Sequence, residues 1–174
     1  MNVRRMFLAI WPNEAQIEQL YQLQGDYLGF GKEVSPENLH MTLLFMGDMA
    51  DEMVYCLTQS AQDLVAKPFS VSLDRLGYFP KTKIFYIAPS IIPEELVHLQ
   101  RGLLSCAQQC GVRHLSKRYQ PHVSLQRKSE IPLSNPSFSP IEWAINDFHL
   151  VESRLDRRAV LYNALESFSL INHS

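Results

Sequence analysis

The sequence predicts an α+β fold of two lobes that share a cleft. Three observations predict it. Segments with a two-residue apolar rhythm alternate with segments of helical rhythm along the whole chain. A four-residue pattern of histidine, apolar, hydroxyl, apolar occurs twice: His40-Met41-Thr42-Leu43 and, 82 residues later, His122-Val123-Ser124-Leu125. Each copy lies on a strand that follows a helix, so the two halves read as a degenerate duplication. A chain of 174 residues suits a single domain over 1–174, with its two lobes interleaved.

Each element has its own sequence signal. Arg5 to Ile10 reads as a strand. Asn13 caps a first helix, and Gln16 three residues on completes a capping box. Its apolar stripe is Ile17, Leu20, Tyr21 and Leu28. Gly29, Gly31 and Pro36 mark a loop before the first histidine strand, Leu39 to Met46. Asp51 opens a second helix carrying Met53, Val54, Leu57, Ala61, Leu64 and Val65, and Pro68 stops it. Strands about Phe69 to Leu76 and Ile84 to Ala88 flank Gly77, Pro80 and Lys81-Thr82-Lys83, which predicts a hairpin. Pro93 begins a third helix with Leu96, Leu99, Leu103, Cys106, Ala107 and Cys110, ended by Gly111. The second histidine strand runs from about Tyr119 to Gln126. Lys128 to Glu142 is rich in Ser and Pro and reads as a loop. Two closing strands, about Ala144 to Val151 and Val160 to Leu165, flank a turn bearing Arg154, Arg157 and Arg158.

Bulk composition narrows the function classes. The chain is 46% hydrophobic and 20% charged, with net charge −2. A surface of that balance does not coat a nucleic-acid duplex, so any nucleic-acid contact is local and small. No apolar run approaches the roughly 18 residues that span a bilayer. The stretch Met6 to Trp11 is too short, and too soon broken by Pro12-Asn13-Glu14, for a signal peptide. Cys56, Cys106 and Cys110 are odd in number, which argues against a disulfide framework and for a reducing cytoplasm. Cys106 and Cys110 read as small buried residues of a helix rather than metal ligands.

The duplicated pattern carries the chemistry. Side chains alternate faces along a strand, so each imidazole shares a face with its hydroxyl while the two apolar residues take the other. Two such strands place two imidazoles and two hydroxyls around one cleft, an acid–base pair with an anion-binding floor. His114-Leu115-Ser116 repeats the start of the pattern, but Lys117 breaks it in the fourth place. His98, His114, His149 and His173 have no partner pattern.

With these residues in place, the chain resembles the two-histidine phosphoesterase superfamily. Within it, the chain is most similar to the bacterial RNA 2′,3′-cyclic phosphodiesterases, also called 2′-5′ RNA ligases. The His-x-Thr/Ser-x motif stands twice, as Leu39-His40-Met41-Thr42-Leu43 and Pro121-His122-Val123-Ser124-Leu125. Met6 to Ile10 is similar to the family's opening strand, Phe45-Met46-Gly47 to its first frame, and Trp143 to Ser153 with Tyr162 to its closing segment. Ser124 stands where threonine is commoner, and a hydroxyl remains. The resemblance implies two antiparallel sheets with pseudo-twofold symmetry, helices on the outer faces and a central cleft. It implies hydrolysis of 2′,3′-cyclic phosphate ends to 2′-phosphates by metal-independent acid–base catalysis. Some members also join or cleave 2′-5′ linkages.

By that analogy His40 is the proton donor and His122 the proton acceptor, although the two near-equivalent motifs do not themselves fix the direction. Thr42 and Ser124 would donate to the non-bridging phosphate oxygens. Arg127 would add charge to the phosphate pocket, as the family's arginine after the second motif does. Strict alternation gives Arg127 the parity of Val123 and Leu125, so the strand must end or bulge after Gln126 for it to reach the cleft. Phe7, Tyr119 and Phe79 are candidates for base stacking. Lys117, Arg118, Lys128 and the turn arginines are candidates for steering an RNA end. The expected partners are RNA ends or nucleotides bearing a 2′,3′-cyclic phosphate, with no membrane, no obligate protein partner and no cofactor. Three rival readings are 2′-5′ ligation by the reverse reaction, a nucleotide- or RNA-binding module without catalysis, and a metallohydrolase. No carboxylate at ligand spacing beside either histidine supports the last.

Overall fold

Local chemistry sets the first helix as the sequence predicts. The Asn13 side chain accepts from the Gln16 N–H at 3.1 Å, and the Gln16 side chain accepts from the Asn13 N–H at 3.1 Å, a closed capping box. The computed structural model describes residues 3–130 and 137–171. Residues 131–136 of the predicted Ser/Pro loop, and His173, lie outside them.

The elements in chain order are β1 (Val3–Ile10), α1 (Glu14–Gly25), β2 (Lys32–Glu33), β3 (Met41–Ala50), α2 (Asp51–Gln62), β4 (Phe69–Leu73), β5 (Arg75–Phe79), β6 (Ile84–Ala88), α3 (Glu94–Gln109), β7 (Val123–Arg127), β8 (Ile141–Ile145), β9 (Asp147–Asp156) and β10 (Ala159–Ser169). They build two antiparallel sheets. The larger has the path β10-β9-β1-β3-β7-β6-β5, with β2 beside β7, and the smaller joins β4 to β8.

The larger sheet shows the duplication. One half is β1–α1–β3 with β9 paired on β1, and the other is β6–α3–β7 with β5 paired on β6. The helices trade places: α1 packs against β7 and β8, and α3 packs against β3 and α2. Each half therefore has its apolar face covered by the other's helix.

That apolar face holds the core. Met41, Leu43, Val123 and Leu125 point toward the helices and are buried, as are Met6, Leu8 and Ile10 from β1. Leu96, Leu99, Leu103 and Ala107 meet them from α3. The opposite face of the sheet carries His40 and His122.

Some sequence expectations are corrected. The predicted strand Phe69 to Leu76 is two strands in two sheets, broken at Asp74. Asp74 spends both carboxylate oxygens on Ser90, accepting from its N–H at 2.7 Å and its hydroxyl at 2.6 Å, and so turns the chain between sheets. The hairpin is therefore β5–β6. The predicted closing strand at Ala144 likewise splits into β8 and β9 around Asn146. Tyr21, Leu28 and Val65 are exposed rather than part of their helical stripes. Cys56 and Cys110 form a disulfide, against the expectation from the odd count, and Cys106 stays free. Spacing along the chain does not reveal that α2 packs on α3 and brings together residues 54 apart.

Candidate active site

One register pair positions the site. Met41 of β3 lies opposite Val123 of β7 in antiparallel pairing. One step out on either side, His40 is set beside Ser124 and Thr42 beside His122, all on the face opposite the helices. Cross-strand neighbours of this kind have Cβ atoms about 5 Å apart. The four residues of the two motifs therefore form one square on the cleft floor.

The backbone repeats itself around each histidine. His40 Nδ1 is 2.6 Å from the Asn38 carbonyl oxygen, and His122 Nδ1 is 2.7 Å from that of Gln120. A carbonyl only accepts, so Nδ1 carries the proton in both rings and the Nε2 lone pair is left for the cleft. His40 Nε2 accepts from the Thr42 hydroxyl at 3.0 Å.

Matching bulges follow each motif. Ala9 pairs Thr42 and Leu8 pairs Leu44, so Leu43 is the extra residue of β3. Tyr86 pairs Ser124 and Phe85 pairs Gln126, so Leu125 is the extra residue of β7. Each bulge buries two consecutive residues and returns the third to the cleft face. This resolves the parity objection to Arg127, which is exposed, lines the cleft and acts on both histidines. The bulge falls at Leu125 rather than after Gln126. In the first motif the same device presents Phe45.

Aromatic walls hold each imidazole. Trp11 stacks on His40 at 4.9 Å, Phe7 lies 5.2 Å away and Tyr162 meets it edge-on at 5.2 Å. Around His122 stand Phe79 at 5.1 Å and Tyr86 at 5.4 Å. Gly77, the cross-strand partner of Tyr86, leaves room for that ring: a Cβ there would sit 2.2 Å from it.

Burial in these walls lowers the pKa of His40 to about 4; the bond to Asn38 resists the fall, and Arg127 and His122 add to it. His122 is also lowered, chiefly by burial, against the bond to Gln120 and with help from Arg127. Both rings are therefore neutral in the free protein at pH 7.

A cavity of about 820 Å³ covers the His40 side of the cleft. Its walls include His40, Thr42, Arg127, Phe7, Phe45 and Arg5. Arg158 and Lys32 join its rim, whereas Arg154 pairs with Glu152 at 2.9 Å and Lys117 lines a separate recess beside α3.

Two predicted substrate contacts are placed elsewhere. Phe7 is 3% exposed, so it walls His40 and offers no free face to a base. Tyr119 packs into the core on the helix side, because its parity is that of Val123. Its hydroxyl donates to the Thr42 carbonyl at 3.1 Å, and burial raises its pKa. It supports the first motif strand from behind. Sequence reading missed Trp11, Tyr86 and Phe45. The signal for Trp11 was its two-residue spacing from Phe7 and Ala9 on the cleft face of β1, hidden by the apolar run.

The model of the 2′-5′ RNA ligase superfamily matches residues 11–157, a span holding both motifs. The chain belongs to that superfamily. Among its relatives is the RNA 2′,3′-cyclic phosphodiesterase of Thermus thermophilus, 30% identical over 95% of this chain and 90% of the relative. The Escherichia coli protein of the same name is 26% identical over 96% of this chain and 97% of its own length. The crystal structure of E. coli LigT complexed with 3′-AMP superposes with a TM-score of 0.91 at 24% identity, covering 98% of this chain and all of that one. That likeness shows that the two chains share one fold.

Proposed function

We propose that this protein is an RNA 2′,3′-cyclic phosphodiesterase that opens 2′,3′-cyclic phosphate ends to 2′-phosphates. Water attacks phosphorus while His122 Nε2 takes its proton. The bond from phosphorus to O3′ breaks, and His40 Nε2–H gives a proton to that oxygen. The products are a 2′-phosphate monoester and a free 3′-hydroxyl; His122 then releases its extra proton to solvent and His40 regains one. The Thr42 and Ser124 hydroxyls donate to the non-bridging oxygens, and Arg127 balances their charge. With a 5′-hydroxyl in place of water, the same groups would form a P–O5′ bond, break P–O3′ and so join the cyclic end in a 2′-5′ linkage.

The observation that carries this reading is the Met41–Val123 register, with both Nδ1–H groups tied to carbonyls, so that each ring keeps Nε2 for proton transfer once Thr42, which donates to His40 Nε2 at 3.0 Å, turns to the phosphate. Among the described residues no cluster of three or more His, Cys, Asp or Glu side chains gathers there as a metal site. A donor role for His40 requires its proton to return when substrate binds. A phosphate oxyanion about 4 Å from the ring contributes about 4 kcal/mol at an effective dielectric of 20. That lifts a pKa near 4 to about 7, so the substrate itself arms the acid.

The same depressed pKa favours a second reading, in which the roles are exchanged and the more buried His40 is the base. Incubation with 2′,3′-cyclic AMP in the presence of chelator tests the shared reaction. Phosphorus NMR should show 2′-AMP; 3′-AMP, or no turnover, would refute the proposal.

A further inference from the structure

Helix α3 carries two stripes. Leu96, Leu99, Leu103 and Ala107 face the core. Beside them Val97, Gln100, Arg101 and Leu104 recur at three- and four-residue steps, so they share a second face. That face does not close against its neighbours. Together with Lys117 and Tyr119, from the segment that leads into β7, it lines a recess of about 470 Å³. Volumes of that order hold small-molecule ligands. Tyr119 packs on the helix side of the sheet, so the recess lies behind the cleft and apart from it.

Gln100 is the unusual member of this lining. It is 4% exposed, and among the described residues its side-chain amide has no hydrogen-bond partner. Buried amides are nearly always paired, because leaving one without a partner costs free energy. Gln100 lines the recess, and that is where a partner can reach it. Arg101 and Lys117 are exposed and come from the two elements that bound the recess. Neither has a carboxylate partner among the described residues.

These groups define a ligand. Two cations without acidic partners take a phosphate. An amide offers a donor and an acceptor together, which matches the edge of a nucleobase. Val97, Leu104 and the Tyr119 ring supply apolar cover for its faces. We propose that the recess is a second binding site, for a nucleoside monophosphate, distinct from the two-histidine cleft. The two sites are linked. The Tyr119 hydroxyl donates to the Thr42 carbonyl at 3.1 Å, and the next residue, Gln120, holds His122 Nδ1 through its carbonyl at 2.7 Å. A ligand against the Tyr119 ring therefore reaches both motif strands from behind.

The experiment titrates 5′-AMP into isotope-labelled protein and follows the backbone amides of Gln100, Arg101 and Lys117 by NMR, which reads the recess apart from the cleft. Those signals should shift and saturate. Inorganic phosphate or adenosine alone should bind there at least about tenfold more weakly, since each lacks part of the contacts. Gln100→Leu removes the amide and should weaken binding about tenfold. The double variant Arg101→Glu/Lys117→Glu, altered only at exposed positions, should lose the shift at Gln100. Shifts confined to cleft residues such as Arg127, or a recess shift that survives the charge reversal, would overturn the site. Equal affinity for inorganic phosphate would overturn the nucleotide as its ligand. Kinetics test the link through Tyr119, and this arm rests on the phosphodiesterase reading. With 2′,3′-cyclic AMP as substrate, 5′-AMP should change kcat as well as KM, and the charge-reversed protein should show the change in KM alone. Purely competitive inhibition of the unsubstituted protein would overturn the link. Absence of all turnover would defeat the phosphodiesterase reading instead, and the NMR shifts would still decide the site.

Discussion

Met41 and Val123 face each other across the two histidine strands, and among the described residues they are the one ladder pair that joins β3 to β7. Beyond Ser124 the edge of β7 is taken over by β2, through Lys32 with Arg127 and Glu33 with Gln126. The two motif strands thus touch at one point, with an imidazole and a hydroxyl on each side of it. A register slip of one residue would turn both histidines under the helices.

The first prediction separates acid from base. Removing either imidazole should cost about 10²–10⁴ in turnover of 2′,3′-cyclic AMP. A phosphodiester with a p-nitrophenolate leaving group needs no proton on departure. With His40 as donor, His40→Ala should recover most of its lost activity on that ester, and His122→Ala should not. Recovery by His122→Ala instead would establish the exchanged roles, and recovery by neither would end the acid–base assignment.

The second concerns pH. Burial depresses the His40 pKa from its ordinary 6.5 to about 4. Between those values the unfolded chain binds the proton and the folded protein does not, so stability falls as pH drops from about 6.5 toward 4. The loss approaches about 3 kcal/mol at the acid end. His122, depressed in the same direction, adds to it. Thermal melts between pH 7 and 4.5 should show a steeper decline for the unsubstituted protein than for His40→Gln. A proton-NMR titration of the His40 ring with a midpoint near 6.5 would contradict the burial argument.

The square of two imidazoles and two hydroxyls was legible in the sequence because its signal is local: four residues, a strand period of two, and a second copy. The capping box at Asn13 and the helix stop at Gly111 were legible for the same reason. What was not legible depends on residues far apart in the chain. The bulge at Leu125 exists only against β6, so parity alone gave Arg127 to the wrong face. Tyr119 shares the histidine segment, yet its place behind Thr42 is set by the core it packs against and by its bond to the Thr42 carbonyl, 77 residues away. Asp74 looked like strand interior because its turn is closed by Ser90, 16 residues away. Phe45 entered the sequence reading only as part of the frame of the first motif, because its return to the cleft face depends on the bulge at Leu43.

A third prediction tests how the walls act. Gly77 admits the Tyr86 ring, and that ring leans on His122. Gly77→Ala places a Cβ where the ring lies, within 2.2–2.5 Å of its atoms. Tyr86 must swing away and the His122 ring loses a support. A loosely held catalytic group costs rate more than binding. The expected result is about a tenfold fall in kcat with KM nearly unchanged, and a His122 titration midpoint moved back toward 6.5 as the ring gains water. An unchanged midpoint with reduced activity would show that Tyr86 does not set the environment of His122.

The fourth concerns the disulfide, which joins α2 to the C-terminal cap of α3 across 54 residues. These helices cover the apolar face of β3, the strand that carries Thr42. Closing a loop of that length lowers the entropy of the unfolded chain by an amount worth about 4 kcal/mol in the chain-entropy account. Cys110→Ser should therefore lower the denaturation free energy by about 2–4 kcal/mol, while 2′,3′-cyclic AMP turnover well below the melting temperature stays within about twofold, since neither sulfur reaches the cleft. A reducing agent should destabilise the unsubstituted protein by a similar amount and leave Cys110→Ser unaffected. Cys106, one helical turn away with its sulfur 3.7 Å from the Ser60 carbonyl, must be left intact in this comparison, so that a new pairing of Cys106 with Cys56 can be detected by mass after alkylation. The same alkylation on freshly lysed cells tests placement in a reducing cytoplasm, which we propose for this protein. Three labelled cysteines would fit that compartment, and one labelled cysteine would require an oxidising one. Equal stability of Cys110→Ser and the unsubstituted protein, with or without reductant, would show that packing of α2 on α3 suffices without the bond.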